Sequence, residues 1–185
     1  MTVLGDLPTG QGLAFFDELG RLGVMDVTLT GGEAFTRPDL FELIDGIIAN
    51  RMYYCVLSND MLIDDKVLAR FEIGKRRLHL DYIQVPIDGS RAEVHDRSWP
   101  NSFDRALRGL SLLKEAGFPV TVRVTIDRHN LYDAENFTHL LLGAIGPPSF
   151  GSNEAMPIGS GYCNEHEVSL TPVERAEAMG SIGRP

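Results

Sequence analysis

The chain has 185 residues, of which 43% are hydrophobic and 23% are charged, and its formal net charge is −9 at pH 7. This composition is typical of one folded domain and excludes a disordered tail. The negative charge disfavours a nucleic-acid partner, because such proteins concentrate Lys and Arg. No segment reaches the roughly 18 apolar residues of a membrane span, and residues 1–12 lack the basic and apolar regions of a signal peptide. We therefore predict a cytoplasmic protein without a membrane or nucleic-acid partner.

Strand-like and helix-like patterns alternate along the chain. Helical spacing of apolar residues starts at Leu13, at Leu40 and, most clearly, at Phe103. Between these segments, β-rich runs predict strands at 25–30, 52–58, 82–87, 120–126 and 155–158. The runs start 27, 30, 38 and 35 residues apart, close to the length of a strand–helix unit. Such alternation predicts an α/β fold with a parallel sheet. A full eight-unit barrel needs about 250 residues, so we expect at most a partial (β/α)6 half-barrel, an incomplete TIM-like barrel.

Two segments near the C-terminus look different from this repeat. Residues 146–153 are rich in Gly, Pro, Ser and Asn and predict a turn. Further on, Thr171, Pro172 and Glu174 match the N-cap, N1 and N3 positions at the start of a helix. We predict a core domain over 1–162 and a truncated linker, or the start of a C-terminal region, over 163–185.

Polar and apolar residues alternate within the predicted strands. In the strand at 120–126, valine and isoleucine alternate with Thr121, Arg123 and Thr125. Because side chains alternate across a strand, the apolar set fits a face covered by helices and the polar set a common concave interior. Thr28, Gln84 and Asp88 belong to the same polar set. Burying such groups dry and unpaired is costly, so we expect a wet or ligand-filled lumen; a fully exposed sheet face is the alternative.

The motif Gly31-Gly32-Glu33 follows the first predicted strand directly. Glycines at the carboxyl end of a strand let a ligand approach bare backbone, and a carboxylate can accept from an ammonium group. Active sites of parallel α/β folds gather at this end of the strands. The motif alone is also compatible with an ordinary turn.

Several ordered motifs together resemble the radical S-adenosylmethionine (SAM) superfamily, in particular its peptide- and sulfatase-maturing branch. The run LGVMDVTLTGGEAFTRPDL at 22–40 looks like the second strand–helix unit of that family. Further motifs resemble the ends of the family's later strands and the segments that follow those strands. They lie at 57–60, 85–90, 95–97, 102–107, 122–130 and 156–159. The resemblance covers roughly residues 13–162 and implies that the first strand of the family's barrel is missing.

The resemblance also implies a set of cofactor-binding residues. Gly31, Gly32 and Glu33 would hold the amino group of the methionine portion of SAM. Arg123 would meet its carboxylate in a charge-assisted bond that suits the guanidinium geometry. The ribose or nearby polar atoms would contact Ser58, Asn59 and Asp88, and the adenine would lie beside Ile158. An Asp88–Arg123 salt bridge inside the barrel is the structural alternative. We assign no catalytic residue.

The cysteines depart from the family pattern. Radical SAM proteins bind a [4Fe–4S] cluster through three closely spaced cysteines, usually Cys-x-x-x-Cys-x-x-Cys. This chain has two cysteines, Cys55 and Cys163, 108 positions apart. Cys55 lies in a strand-like run and is expected to be a buried structural thiol. Cys163 could share a metal with Glu165 and His166, but the pattern is weak and we predict no metal site.

Three functions are compatible with these patterns. The first is the core fragment of an iron–sulfur oxidoreductase or maturase. In full-length form it would cleave SAM reductively with a reductant protein, and abstract hydrogen from a peptide or protein; we expect the isolated chain to be inactive. The second is a non-catalytic half-barrel that binds SAM or a partner. The third is an unrelated barrel aldolase or isomerase, which would need a catalytic lysine, and no lysine lies in the predicted strands.

Overall fold

The computed structural model describes residues 6–146, 149–155 and 168–182. None of the helices in these ranges is long and apolar enough to cross a membrane. The elements in chain order are α1 (Thr9–Arg21), β1 (Asp26–Leu29), α2 (Leu40–Ala49), β2 (Tyr53–Leu57), α3 (Asp65–Phe71), β3 (Leu80–Pro86), α4 (Ala92–His95), α5 (Phe103–Glu115), β4 (Val120–Ile126), α6 (Ala134–His139) with a π-helical continuation (Leu140–Ile145), β5 (Ser149–Glu154) and α7 (Pro172–Ile182). Short 3₁₀ turns lie at Ala34–Thr36, Arg77–His79 and Leu131–Asp133.

The five strands form one parallel sheet in the order β1-β2-β3-β4-β5. Each strand therefore pairs with its sequence neighbour, as repeated strand–helix units require. The predicted parallel α/β fold is confirmed, and the carboxyl ends of all five strands lie along one edge of the sheet.

Burial along β4 follows the predicted alternation without exception. Its valines and Ile126 are buried, whereas Thr121, Arg123 and Thr125 are partly exposed on the opposite face. In β3, Ile83 and Val85 are fully buried in the same way. The apolar face packs against the helices, and the polar face is left to line the cleft described below.

Aromatic side chains link the helices to this apolar face. Phe71, at the end of α3, is fully buried. Its ring centroid lies 5.0 Å from that of Phe41 on α2, 6.1 Å from Phe35 and 5.5 Å from Phe118, with interplanar angles between 61° and 75°. These are the edge-to-face arrangements that aromatic rings prefer, so Phe71 connects α2, α3 and the segment that leads into β4.

The position of the fifth strand differs from the prediction. Residues 146–153 were expected to form a turn, yet β5 occupies Ser149–Glu154 and pairs with β4 from Thr121↔Ser149 to Ile126↔Glu154. Parallel pairing along the whole of β4 outweighs the weak local strand propensity of Gly, Ser and Asn. The run predicted as this strand begins at Ala155, just after β5 ends, and 156–158 lie outside the described residues.

The predicted start of α7 is confirmed in atomic detail. The backbone N–H of Glu174 donates to Thr171 Oγ1 over 3.2 Å, and the N–H of Thr171 donates to Glu174 Oε2 over 2.7 Å. This reciprocal capping box satisfies two free backbone donors of the helix. These hydrogen bonds lower the pKa of the Glu174 carboxyl. Leu170 and Ala178 join the core, so α7 packs against the same domain as the sheet.

Candidate functional site

A cleft of about 260 Å³ opens at the carboxyl ends of the strands. Every strand contributes to it, either through its last residues or through the loop that follows. Its walls are formed by Thr30, Gly31, Gly32, Leu57, Ser58, Asn59, Gln84, Pro86, Trp99, Arg123, Thr125 and Asn153. Most of these groups are hydroxyls, amides, bare backbone or a guanidinium, with Leu57, Pro86 and Trp99 as the apolar parts. Such a cleft suits a small ligand that is polar with an apolar or planar portion.

Backbone at Gly31 and Gly32 faces open space. A Cβ atom built at either glycine would have no heavy atom within 4 Å. The glycines are therefore not required by close packing inside the protein. They leave room for a ligand to approach the peptide groups of this turn, as the sequence suggested.

Glu33 connects the first loop of the cleft to the second. Its Oε1 accepts from the backbone N–H of Phe35 and from Ser58 Oγ, each over 3.0 Å, and its Oε2 accepts from the N–H of Asn59 over 2.7 Å. A carboxylate has about four acceptor positions, so three are used within the protein. Glu33 thus orients the loop after β2, and its carboxylate can still accept one further hydrogen bond.

Asp60 lies directly behind this loop and has an unusual environment. It is 1% exposed, and neither of its carboxyl oxygens has a hydrogen-bond partner. Gly109 of α5 packs against it, because a Cβ atom at Gly109 would lie 2.6 Å from the Asp60 carbonyl oxygen. Burial, followed by the nearby charge of Glu33, raises the pKa of Asp60 well above its ordinary value.

Arg123 contributes the positive charge of the cleft. Within the described ranges it forms no ion pair with a carboxylate; its partner is the side chain of Asn153. With the Asn153 amide turned to satisfy both groups, Asn153 Oδ1 accepts from Arg123 Nε over 3.0 Å and from Nη2 over 3.2 Å. Arg123 is partly exposed, and it lines the cleft wall together with Thr125, which lies on the same face of β4. It is thus available to an anionic group of a ligand.

Asp88 does not pair with Arg123, so that structural alternative is wrong. Instead, Asp88 Oδ1 accepts from the backbone N–H of Thr125 over 2.7 Å, and Oδ2 accepts from Trp99 Nε1 over 2.7 Å. Asp88 is 3% exposed. Burial raises its pKa to about 6, although these two hydrogen bonds favour the charged form and oppose the rise.

The structure brings most of the predicted site residues together. Gly31, Gly32, Ser58, Asn59 and Arg123 line the cleft. Glu33 and Asp88 adjoin it with their carboxylates already bonded to protein groups. Ile158 and the Cys163, Glu165 and His166 group lie outside the described residues. Binding of a cofactor by these residues stays a prediction.

Seven cleft residues were not predicted as cofactor-binding residues: Thr30, Leu57, Gln84, Pro86, Trp99, Thr125 and Asn153. Trp99 is the lone tryptophan of the chain, which is a usable signal, but nothing local indicates that it turns toward the strand ends. Thr125 belongs to the polar set of β4 and follows from the alternation. Asn153 could not be found, because its segment was interpreted as a turn.

Cys55 is buried, as expected of a structural thiol, and lies on the concave side of β2 with its Sγ 3.2 Å from Thr28 Oγ1. In the described ranges no three His, Cys, Asp or Glu side chains converge in a way that could hold a metal ion. Two cysteines 108 positions apart do not supply the three thiolates of a [4Fe–4S] site. The cysteines of this chain therefore do not fit the cluster.

A parallel sheet covered by helices, with a cleft at the carboxyl ends of its strands, is typical of the α/β barrel class of proteins. The sequence profile of the radical SAM superfamily matches residues 5–141. The chain belongs to this superfamily.

Sequence comparison with individual proteins agrees with this family membership. The chain is 30% identical over 173 residues to the AdoMet-dependent heme synthase of Methanosarcina barkeri, covering 92% of this chain and 48% of the relative. It is 36% identical over 140 residues to the mycofactocin maturase MftC of Mycobacterium tuberculosis, covering 74% of this chain and 34% of the relative. The chain thus spans about half or less of the length of these relatives.

Solved structures share the fold at low sequence identity. The structure of anSMEcpe with bound AdoMet superimposes with a TM-score of 0.78 at 13% identity, covering 98% of this chain and 52% of that one. Streptococcus suis SuiB bound to S-adenosylmethionine gives a TM-score of 0.77 at 11% identity, covering 97% and 41%. These likenesses establish the barrel-type fold of the chain.

Proposed function

We propose that this chain is the SAM-binding core of a radical SAM protein that modifies a peptide or protein. The observation that carries the proposal is Arg123, a guanidinium without a carboxylate partner among the described residues, which lines the cleft together with Gly31 and Gly32. A ligand with a carboxylate and an ammonium group at one end matches this arrangement. SAM has both groups, and membership of the superfamily supports it as the ligand.

When bound, SAM and a [4Fe–4S] cluster supply the family's radical chemistry. This chain's own residues would bind and orient the SAM molecule. The glycine backbone and Glu33 would hold its amino group, and Arg123 its carboxylate. Ser58 and Asn59 would lie toward the ribose, and Ile158 toward the adenine, whereas Asp88 stands behind them with both carboxylate oxygens bonded to protein groups. The thiolates for the cluster are not among these residues.

A peptide substrate is supported by the names of several relatives. MftC is a maturase, a further relative is a PqqA peptide cyclase from Granulibacter bethesdensis, and SuiB has been solved with its precursor peptide. Mass spectrometry of the peptides and proteins from cells with and without the gene tests this part. Identical peptide masses in both cultures would contradict it.

We also propose that the SAM-binding core covers residues 1–162 and that residues 163–185 begin a separate region. The radical SAM profile ends at residue 141, before this boundary. The packing of α7 against the core indicates that any such region starts in contact with the half-barrel.

Binding of SAM to the 185-residue chain is expected to depend on Arg123. Arg123→Ala should weaken binding in calorimetric titrations by roughly 10- to 150-fold, because a charge-assisted hydrogen bond to the carboxylate is lost, and such bonds contribute roughly 1.5–3 kcal/mol. Arg123→Lys should retain the charge but lose the bidentate geometry and give an intermediate loss.

Arg108→Ala is the matched control, since Arg108 is exposed on α5 and does not line the cleft. Equal SAM affinity in the wild type and Arg123→Ala would contradict the proposed binding mode. Absence of any SAM binding to the folded wild-type chain would contradict the proposed function itself.

A further inference from the structure

Trp99 has a position that packing alone does not require. It follows α4, lines the cleft and is 36% exposed, so a large part of its indole ring remains accessible at the cleft wall. A tryptophan that only stabilised its loop would gain more by full burial. Here the ring, together with Leu57 and Pro86, forms the apolar part of the cleft wall.

Every polar group of Trp99 is fixed by the protein. Its indole Nε1–H donates to Asp88 Oδ2 over 2.7 Å, its backbone N–H donates to the carbonyl oxygen of His95 over 3.1 Å, and its own carbonyl oxygen accepts from Ser102 Oγ over 2.5 Å. The indole N–H edge is therefore turned toward the buried carboxylate. The rest of the ring system is left to the cleft.

The groups behind Trp99 form a closed hydrogen-bonded circuit. The backbone N–H of Asp88 donates to His95 Nδ1 over 3.0 Å, so this nitrogen must be the acceptor and the neutral imidazole carries its proton on Nε2. His95 Nε2 lies 3.0 Å from Ser102 Oγ and donates to it, while Ser102 donates onward to Trp99. His95, Ser102 and Asp88 are at most 3% exposed. The circuit holds one ring orientation.

We propose that Trp99 is a ligand-contact residue of the cleft, and that Asp88 is the positioning residue that sets the orientation of its ring. The ring face would receive a group that is attracted to an indole π system, either a planar base or an organic cation. The proposal rests on the proposed function, because SAM has both groups: a purine and a sulfonium. Asp88 then acts through Trp99 and needs no direct contact with the ligand.

Because Trp99 is the lone tryptophan of the chain, its fluorescence reports on the cleft. Titration of the wild-type chain with SAM should change the emission, with a midpoint equal to the dissociation constant from calorimetry. S-adenosylhomocysteine has the purine without the sulfonium, and S-methylmethionine has the sulfonium without the purine. A change with either compound supports the proposal and identifies which group contacts the ring.

Substitutions test the contact independently of fluorescence. Trp99→Ala should weaken SAM binding by roughly 5- to 150-fold, the range that corresponds to about 1–3 kcal/mol for loss of one stacking contact. Trp99→Phe should give a smaller, several-fold loss, because a ring face remains but the hydrogen bond to Asp88 that orients the ring is removed. Tyr132→Ala, which removes an 82% exposed aromatic ring away from the cleft, is the matched control and should leave binding unchanged.

A double-mutant cycle separates positioning by Asp88 from a general structural effect. Asp88→Asn should weaken SAM binding several-fold in an otherwise wild-type chain, because its NH₂ replaces one of the two oxygens that accept from Trp99 Nε1 and from the backbone N–H of Thr125. It should add nothing in the Trp99→Ala background. Additive losses, or a failure of both Asp88 variants to fold, would overturn this role for Asp88. The titration and Trp99→Phe still test the ring contact.

The outcomes of these experiments are distinguishable. Calorimetric SAM binding with unchanged Trp99 emission and an unchanged affinity in Trp99→Ala would overturn the role of Trp99 and leave the proposed function intact. Absence of SAM binding to the folded wild type would overturn both.

Discussion

Replacing Phe71 with alanine is expected to lower the free energy of unfolding by about 3–5 kcal/mol, the usual cost of truncating a fully buried phenylalanine. Phe71 has no exposed surface and contacts the rings of Phe35, Phe41 and Phe118 edge to face. The substitution removes these contacts and leaves a cavity where α2, α3 and the approach to β4 meet. Urea denaturation followed by far-UV circular dichroism measures the loss.

Phe15→Ala is the matched control for this experiment. Phe15 lies on α1 and is 54% exposed, so its truncation should change the unfolding free energy by no more than about 0.5 kcal/mol. Phe71→Leu should lose less than Phe71→Ala, because leucine fills part of the cavity. Similar losses for Phe71→Ala and Phe15→Ala would show that the aromatic cluster is not the centre of the core.

Replacing Asp60 with asparagine is expected to stabilise the chain at pH 8 by roughly 1 kcal/mol or more, because a buried charge without partners costs more than a buried neutral amide without partners. Asp60 is buried, both carboxyl oxygens are unpartnered, and its backbone is in the left-handed region with φ of 59°. Asparagine tolerates this conformation as well as aspartate does. It keeps the size of the side chain and removes the charge.

The gain should depend on pH in one direction. Burial raises the pKa of Asp60 above its ordinary 3.8, so the folded chain holds this proton more tightly than the unfolded chain. The wild type therefore loses stability relative to Asp60→Asn as the pH rises above 3.8, until the folded carboxyl itself ionises. Below pH 3.8 the difference between the two proteins should reach its minimum and stay constant.

Glu115→Gln provides the control for Asp60→Asn. It removes a carboxylate that is exposed at the end of α5, so its effect should be small and nearly independent of pH. If the difference in unfolding free energy between the wild type and Asp60→Asn stays constant from pH 4 to pH 8, this result would contradict the unpartnered environment of Asp60.

Much of the fold could be predicted because its signals are local. Helical spacing identified α1, α2 and α5, and four of the five predicted strands overlap β1 to β4, with β4 matching residue for residue. The alternation within β4 also assigned Arg123 and Thr125 to the concave face. The fifth strand was predicted in the wrong place, because β5 consists of residues with weak strand propensity and is held by its pairing with β4.

The candidate site was predicted in part. The glycine pair, Ser58, Asn59 and Arg123 meet in the cleft because each lies at or near the carboxyl end of its own strand, a relation that sequence order and parallel topology determine together. The role of Asp88 differs in detail. Its strand position was predicted, but its bond to Trp99 depends on how the segment after α4 folds back over the sheet.

The environment of Asp60 was likewise predictable only in part. Its position after β2 can be counted along the chain, but its burial without partners arises because α5 packs on it through Gly109. By itself, the sequence determined the alternation of strands with helices, the face on which each residue of β4 lies and the family to which the chain belongs, because these depend on periods of two and 3.6 residues and on contiguous motifs. The tertiary structure alone decided which side chains from distant segments meet, because burial and hydrogen bonding between residues tens of positions apart depend on how strands and helices pack.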